Sequence, residues 1–268
     1  MALGRSLILA MLVLVGTGGA LGRDDTAVTP TVVQLARSAS PDDVRTAIHA
    51  GADVHARNEH GMTALMIAAH GNANPAVLQA LLDTGADVDA RANEGGTALM
   101  FAAHGNANPA VLRTLLDAGA DVDARTDGGS TALMIAANSN ANPAVLLALL
   151  EFGADIHARD DDGWTALTNA AESNEPVVLQ ALLDAGADVG ARTLEGETAL
   201  MIAARWNEHP AVVTLLLDAG ADPYVTDHTG RRAIDHAQAN QWIRGTDAYD
   251  QLLRRVRSCR TMYGHTAP

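Results

Sequence analysis

The sequence predicts a mainly α repeat solenoid in which helix-turn-helix units stack on one another and are joined by β-hairpin loops. Gly-Ala-Asp begins at Gly51, Gly85, Gly119, Gly153, Gly186 and Gly220, at spacings of 34, 34, 34, 33 and 34 residues. Thr-Ala-Leu begins at Thr63, Thr97, Thr131, Thr165 and Thr198, and a pair of alanines follows each copy, from Ala68-Ala69 to Ala203-Ala204. A Leu-rich segment such as VLQALLDTGAD (77–87) is the third landmark in phase. A fixed period of this length marks a stacked array, because one unit cannot bury its own apolar face and its neighbours can.

Each landmark has a local physical task. The Thr is an N-cap whose hydroxyl accepts a free backbone N–H of the first turn. The segment ALMIAA then forms a short helix, and its paired alanines allow close approach of the next helix. Asn74-Pro75, Asn108-Pro109 and Asn142-Pro143 start a second helix. There Asn caps, and Pro occupies the first helical position, where its missing N–H leaves no bond unmade. Leu and Val at helical spacing supply the buried stripe. The Gly of Gly-Ala-Asp ends the helix in a left-handed conformation. Segments such as Asp53 to Gly61 turn back as a hairpin before the next Thr.

This pattern resembles the ankyrin repeat. Gly61-Met62-Thr63-Ala64-Leu65-Met66-Ile67-Ala68-Ala69 matches its Gly-x-Thr-Pro-Leu-His segment and alanine pair, and Gly-Ala-Asp matches its closing turn. Pro and His of the usual motif are here Ala and mostly Met (Met66, Met100, Met134, Met201), which exchanges a polar contact between repeats for apolar packing. Most copies also carry an extra residue between the helices, as in HGNANP at 70–75 and 104–109. The resemblance covers roughly residues 30–257. It implies a domain over 29–257: an N-terminal helix pair, five central repeats and a C-terminal cap repeat. Tails are expected at 21–28 and 258–268.

Residues 1–20 read as an export signal. Met1 to Arg5 form a basic start, Ser6 to Val15 an apolar core, and Gly16 to Ala20 a small-residue segment with cleavage expected after Ala20. The apolar run is shorter than the ~20 residues a spanning helix needs. The body is therefore expected in the periplasm or outside the cell, with no stable membrane insertion after cleavage. The net charge of −14 argues against a nucleic-acid partner, which would require basic groups to neutralise phosphates. Residues 24–230 carry −20 and residues 231–268 carry +4, a split compatible with a monomer or with head-to-tail self-association. The single cysteine, Cys259, cannot form an intramolecular disulfide.

No catalytic constellation is legible: there is no phosphate loop, no His-Glu-x-x-His, no Gly-x-Ser-x-Gly and no Cys cluster. No enzyme activity, cofactor or metal is expected. His70 and His104 hold the same repeat position and would stack one repeat apart, but two ligands fall short of a zinc site, and they read as polar residues copied by duplication. Asp160-Asp161-Asp162-Gly163 reads as an acidic hairpin tip, lacking the spacing and closing Glu of a calcium loop. Partners of proteins this chain resembles meet the hairpin tips and the concave face of the first helices. Among the repeat-variable positions there, Trp164, Arg205 and Trp206, flanked by Glu172 and Glu197 and accompanied by His70 and His104, are the candidate partner-binding residues, since Trp and Arg are favoured interface anchors. Trp242 is expected to cover the end of the stack. The expected function is a non-catalytic protein–protein interaction module. The alternatives are an exported metal-dependent factor or enzyme using His and acidic residues of the concave strip, and a self-assembling structural protein.

Overall fold

The structure, a computed structural model, describes residue 33 and residues 36–262, with side chains through residue 257. The expected signal at 1–20 and the tail at 21–28 lie outside what it describes, as does the side chain of Cys259. Thirteen α-helices occur among the described residues: α1 (Pro41–His49), α2 (Ala64–Gly71), α3 (Pro75–Asp83), α4 (Ala98–Gly105), α5 (Pro109–Asp117), α6 (Ala132–Ser139), α7 (Pro143–Glu151), α8 (Ala166–Ser173), α9 (Pro176–Asp184), α10 (Ala199–Trp206), α11 (Pro210–Asp218), α12 (Ala233–Ala237) and α13 (Asp247–Met262). They form two compact units. One comprises the described residues through Ile135 with Glu151–Ala154, the other Ala136–Leu150 with the described residues from Asp155.

The local chemistry of the sequence sets the helix boundaries. Thr63, Thr97, Thr165 and Thr198 are extended N-caps whose side chains accept the backbone N–H of Met66, Met100, Thr168 and Met201. Asn74 and Asn108 cap α3 and α5 by accepting from Ala76 and Ala110, with Pro next in line. Ser40 and Asp43 make a reciprocal capping box at the start of α1. At the other end of α3, Gly85 takes φ +93°, the left-handed value that an L side chain avoids.

Within each unit, like packs on like. In the first unit α2 lies on α4, and α1, α3 and α5 form the second row; in the second unit α8, α10 and α12 form one row and α9, α11 and α13 the other. The alanine pairs are fully buried, as are Val77, Leu78, Ala80 and Leu81 of α3. Each Leu or Val so buried contributes about 1.5–3 kcal/mol. Met66, Met100, Met134 and Met201 are no more than 1% exposed, so the Met that replaces the usual His is core.

The hairpins are held more by side chains than by strand ladders. The only bridge among the described residues joins Arg192 and Thr198. The hairpins close on themselves, as in Asn58 N–H to Met62 O (3.0 Å), and within each unit one bond runs between neighbouring hairpins, as in Asn93 N–H to His60 O (3.0 Å) and Leu194 N–H to Asp162 O (2.8 Å). Repeated arginines reinforce this: Arg91 donates to Arg125 O (2.7 Å) and Arg192 to Thr226 O (2.6 Å).

A row of asparagines in the inter-helix loops joins successive repeats. Asn106 Nδ2 donates to Ala69 O (2.9 Å) and Asn72 O (3.0 Å), while its Oδ1 accepts from Asn108 N–H (3.0 Å). Asn72, Asn174, Asn207 and Asn240 bond in the same way to the repeat before them. All are buried. Trp242 does not cover the end of the stack: it is 51% exposed, and the adjacent Ile243 is fully buried in its stead. The Asn240 loop turns Ile243 inward, and the bulkier indole faces out.

Candidate functional site

The sequence-predicted residues fall into separate groups. His70, at the end of α2, and His104, at the end of α4, belong to the first unit. Their rings stack with centroids 5.6 Å apart and planes inclined by 21°. Both are half-buried, and the Nδ1 atom of His70 is buried without a hydrogen-bond partner. Burial first, and then the neighbouring charges of His104 and Arg37, push the His70 imidazole down to about 4. Burial lowers His104 as well. Gly105 makes the stack possible, because a Cβ there would lie 2.6 Å from His70 Nε2. The pair thus braces neighbouring repeats as neutral rings and is not a freely presented polar edge.

Glu197, Arg205 and Trp206 are brought together in the second unit. Glu197 precedes the capping Thr198, and Arg205 and Trp206 end α10. Arg205 pairs with Glu197 at 3.1 Å, and its guanidinium carbon lies 4.6 Å from the centre of the Trp206 ring. The Glu197 side chain is only 12% exposed, whereas Trp206 is 42% exposed. One residue therefore anchors the arginine from below while the indole keeps a face in solvent. A cation held over an indole is favourable by ~0.5–1 kcal/mol at an exposed site, so the arrangement pre-orders two long side chains.

Trp164 stands one repeat earlier at the position of Glu197. It is half-buried, and its N–H donates to Asp160 Oδ1 (2.8 Å). Glu172 is half-buried near the end of α8, one repeat before Arg205. Both share the repeat positions of the Glu197–Arg205 pair. Asp160 is committed to its own hairpin, accepting from Asp162 and Trp164 N–H. Burial raises its pKa, against those hydrogen bonds, and the neighbouring Asp162 and Asp161 add to the rise.

Two features lie outside the sequence-predicted set. Leu194, on the hairpin that carries Glu197, is 66% exposed. Asp227 and His236 are buried beside Glu197, with His236 Nε2 3.0 Å from Asp227 Oδ2. One ligand atom from each of Glu197, Asp227 and His236 lies within 4.8 Å of the other two. Burial tends to raise the Asp227 pKa, but hydrogen bonds from the Thr229 hydroxyl, the Arg231 and Thr229 N–H groups and the His236 ring outweigh it. They hold this carboxyl well below the usual carboxylate range. The signal that could have found the cluster is a break in register: His236 stands where the earlier copies have Ile67, Phe101, Ile135, Asn169 and Ile202.

Comparison with known proteins gives a consistent picture. A family model described as ankyrin repeats (3 copies) matches residues 33–126 and 133–227. The ankyrin repeat domain of human ASB11 superposes with a TM-score of 0.72 at 24% identity, covering 85% of this chain and 98% of that one, which shows the fold. The ankyrin repeat domain of Bcl-3, a member of the IkappaB family, gives a TM-score of 0.65 at 28% identity over 86% of this chain and 100% of its own. A search of curated proteins finds no match. Among the described residues, no helix is long and apolar enough to cross a membrane.

Proposed function

Because the chain belongs to the ankyrin-repeat family, whose repeats are generally protein–protein interaction modules, we propose that it is a non-catalytic binding module whose protein partner docks on the second unit around Trp206. The observation that carries this is the Glu197–Arg205–Trp206 arrangement: a half-exposed indole held under a guanidinium that is itself anchored by a shielded carboxylate. Pre-ordered Trp and Arg side chains lose little conformational freedom on binding, which is how interface anchors gain affinity. Trp164, Glu172 and the exposed Leu194 extend the surface by repeat register and by position on the Glu197 hairpin.

The partner is expected among proteins of the compartment the chain enters. Immobilised residues 21–268 are expected to retain a partner from the envelope fraction of the native host, and a folded Trp164→Ala/Trp206→Ala variant to bind it at least ~10-fold more weakly. Equal retention by the variant would remove this surface from the proposal and move the contact elsewhere on the module.

We further propose export, supported by the basic start, the apolar Ser6–Val15 run and the small residues up to Ala20. The mature protein from its host is expected to begin at Leu21, as read by mass spectrometry of the N-terminal peptide. Recovery of an intact Met1 terminus from the cytosolic fraction would contradict it.

A further inference from the structure

We propose that Glu197, Asp227 and His236 form a binding site for a first-row divalent transition ion such as zinc. The three side chains come from two successive repeats. Glu197 sits on one hairpin, Asp227 on the next, and His236 within α12. Their ligand atoms already lie within 4.8 Å of one another. Tetrahedral ligands at about 2.0–2.1 Å from zinc stand roughly 3.3 Å apart. The His236 Nε2 to Asp227 Oδ2 distance of 3.0 Å is close to that spacing. Only Glu197, the longest and least buried of the three, must swing inward.

The surroundings are those of a supported ligand set. Asp227 Oδ1 is fixed by the Thr229 N–H (2.8 Å), the Thr229 hydroxyl (2.6 Å) and the Arg231 N–H (3.0 Å), while Oδ2 faces His236 Nε2 at 3.0 Å and Arg231 Nε at 3.5 Å, so the guanidinium must yield to the ion. Ligating carboxylates are characteristically oriented by such outer hydrogen bonds.

The register adds an independent argument. The preceding repeat holds Thr193 and Ile202 at the positions of Asp227 and His236, and three other first helices hold Ile or Phe at the latter. His236 places a buried imidazole where four of the five earlier copies have Ile or Phe and one has Asn169, whereas Asp227 follows Asp160, which holds a carboxylate at the same hairpin position; a buried imidazole is costly unless its hydrogen bonds are met. One imidazole with two carboxylates suits zinc and its first-row neighbours better than magnesium or calcium, which favour all-oxygen sets. Three protein ligands leave one tetrahedral position for water. Arg205, 3.1 Å from Glu197 Oε1, can keep one carboxylate oxygen while the other turns to the ion. Metal binding is therefore expected to shift the fluorescence of the neighbouring Trp206.

The test is a Co²⁺ titration of the full chain after treatment with chelator, followed by displacement with Zn²⁺. One equivalent is expected to produce visible absorption bands of a tetrahedral N/O site, which Zn²⁺ abolishes. Glu197→Gln and His236→Gln are each expected to weaken binding by about 100-fold or more, beyond the 10–100-fold of outer-shell losses. Glu197→Gln, at a partly exposed position, keeps the test valid should His236→Gln fail to fold. A His55→Gln/His157→Gln control removes two exposed imidazoles and is expected to bind as the parent does. Absence of stoichiometric binding, or equal binding by the parent and a folded Glu197→Gln variant, overturns the proposal. The readout needs no protein partner, so its failure leaves the docking surface standing, and the converse also holds.

Discussion

Asn106→Ala is expected to destabilise the protein by about 3–4 kcal/mol, more than its small change in volume suggests. The side chain satisfies three backbone groups at once. It donates to the carbonyls of Ala69 and Asn72 in the preceding repeat and accepts the N–H of Asn108 in its own. It also occupies a position only 6% exposed, where water cannot replace it. Each buried polar group left without a partner costs about 1–3 kcal/mol, and truncation strands two carbonyls and one N–H. Asn106→Asp, which has the same shape but turns an oxygen toward two carbonyl oxygens, is expected to cost no less. Urea unfolding followed by circular dichroism reads both. A loss under about 1 kcal/mol for the alanine variant would mean that the loop re-pairs or opens to water and that the asparagine row does not hold the repeats together.

Stability is expected to fall by about 2 kcal/mol as the pH drops from near 7 to near 4, through His70. A histidine in the unfolded chain titrates near 6.5. In the folded chain burial, aided by the charges of His104 and Arg37, holds His70 at about 4. Between those values the unfolded state binds the extra proton, so the stabilisation is complete above about 6.5 and is lost progressively as the pH falls toward 4. The full displacement corresponds to about 3 kcal/mol, which the partial exposure of the ring reduces to ~2 kcal/mol. Asp227, whose carboxyl is held low, keeps its contribution throughout this window and loses it only in stronger acid. His70→Asn places at this position the residue found at Asn138 and is expected to flatten the pH dependence of the urea midpoint. Parallel curves for parent and variant would assign the acid sensitivity to other groups.

The groups that make the protein testable are also those that separate its sequence from its structure. His70 and His104 read as duplicated polar residues, and their common register is visible in the sequence. That they stack as half-buried neutral rings depends on Gly105 making room for His70. Arg205 and Trp206 read as variable surface positions and stand out for their chemistry. Their union with Glu197 depends on the hairpin folding back over the end of α10, an ion pair between residues eight apart that no helical spacing predicts. Asp227 and His236 do not stand out, because each, taken singly, is an ordinary polar residue of a terminal repeat.

The chain alone determines the features that repeat at short range. The 33–34 residue period, the Thr and Asn-Pro caps, the left-handed glycines and the alanine and leucine faces each act within a few residues and so are written locally. The asparagine row is equally periodic, at Asn72, Asn106, Asn140, Asn174, Asn207 and Asn240, yet its task is not legible in the sequence. The Nδ2 bonds of Asn106 and Asn174 reach back 34 and 37 residues. Tertiary structure decides such pairings, together with the charge partners of Glu197 and Asp227, because a hydrogen bond or ion pair depends on distance in space. Only stacking one repeat on the next sets that distance.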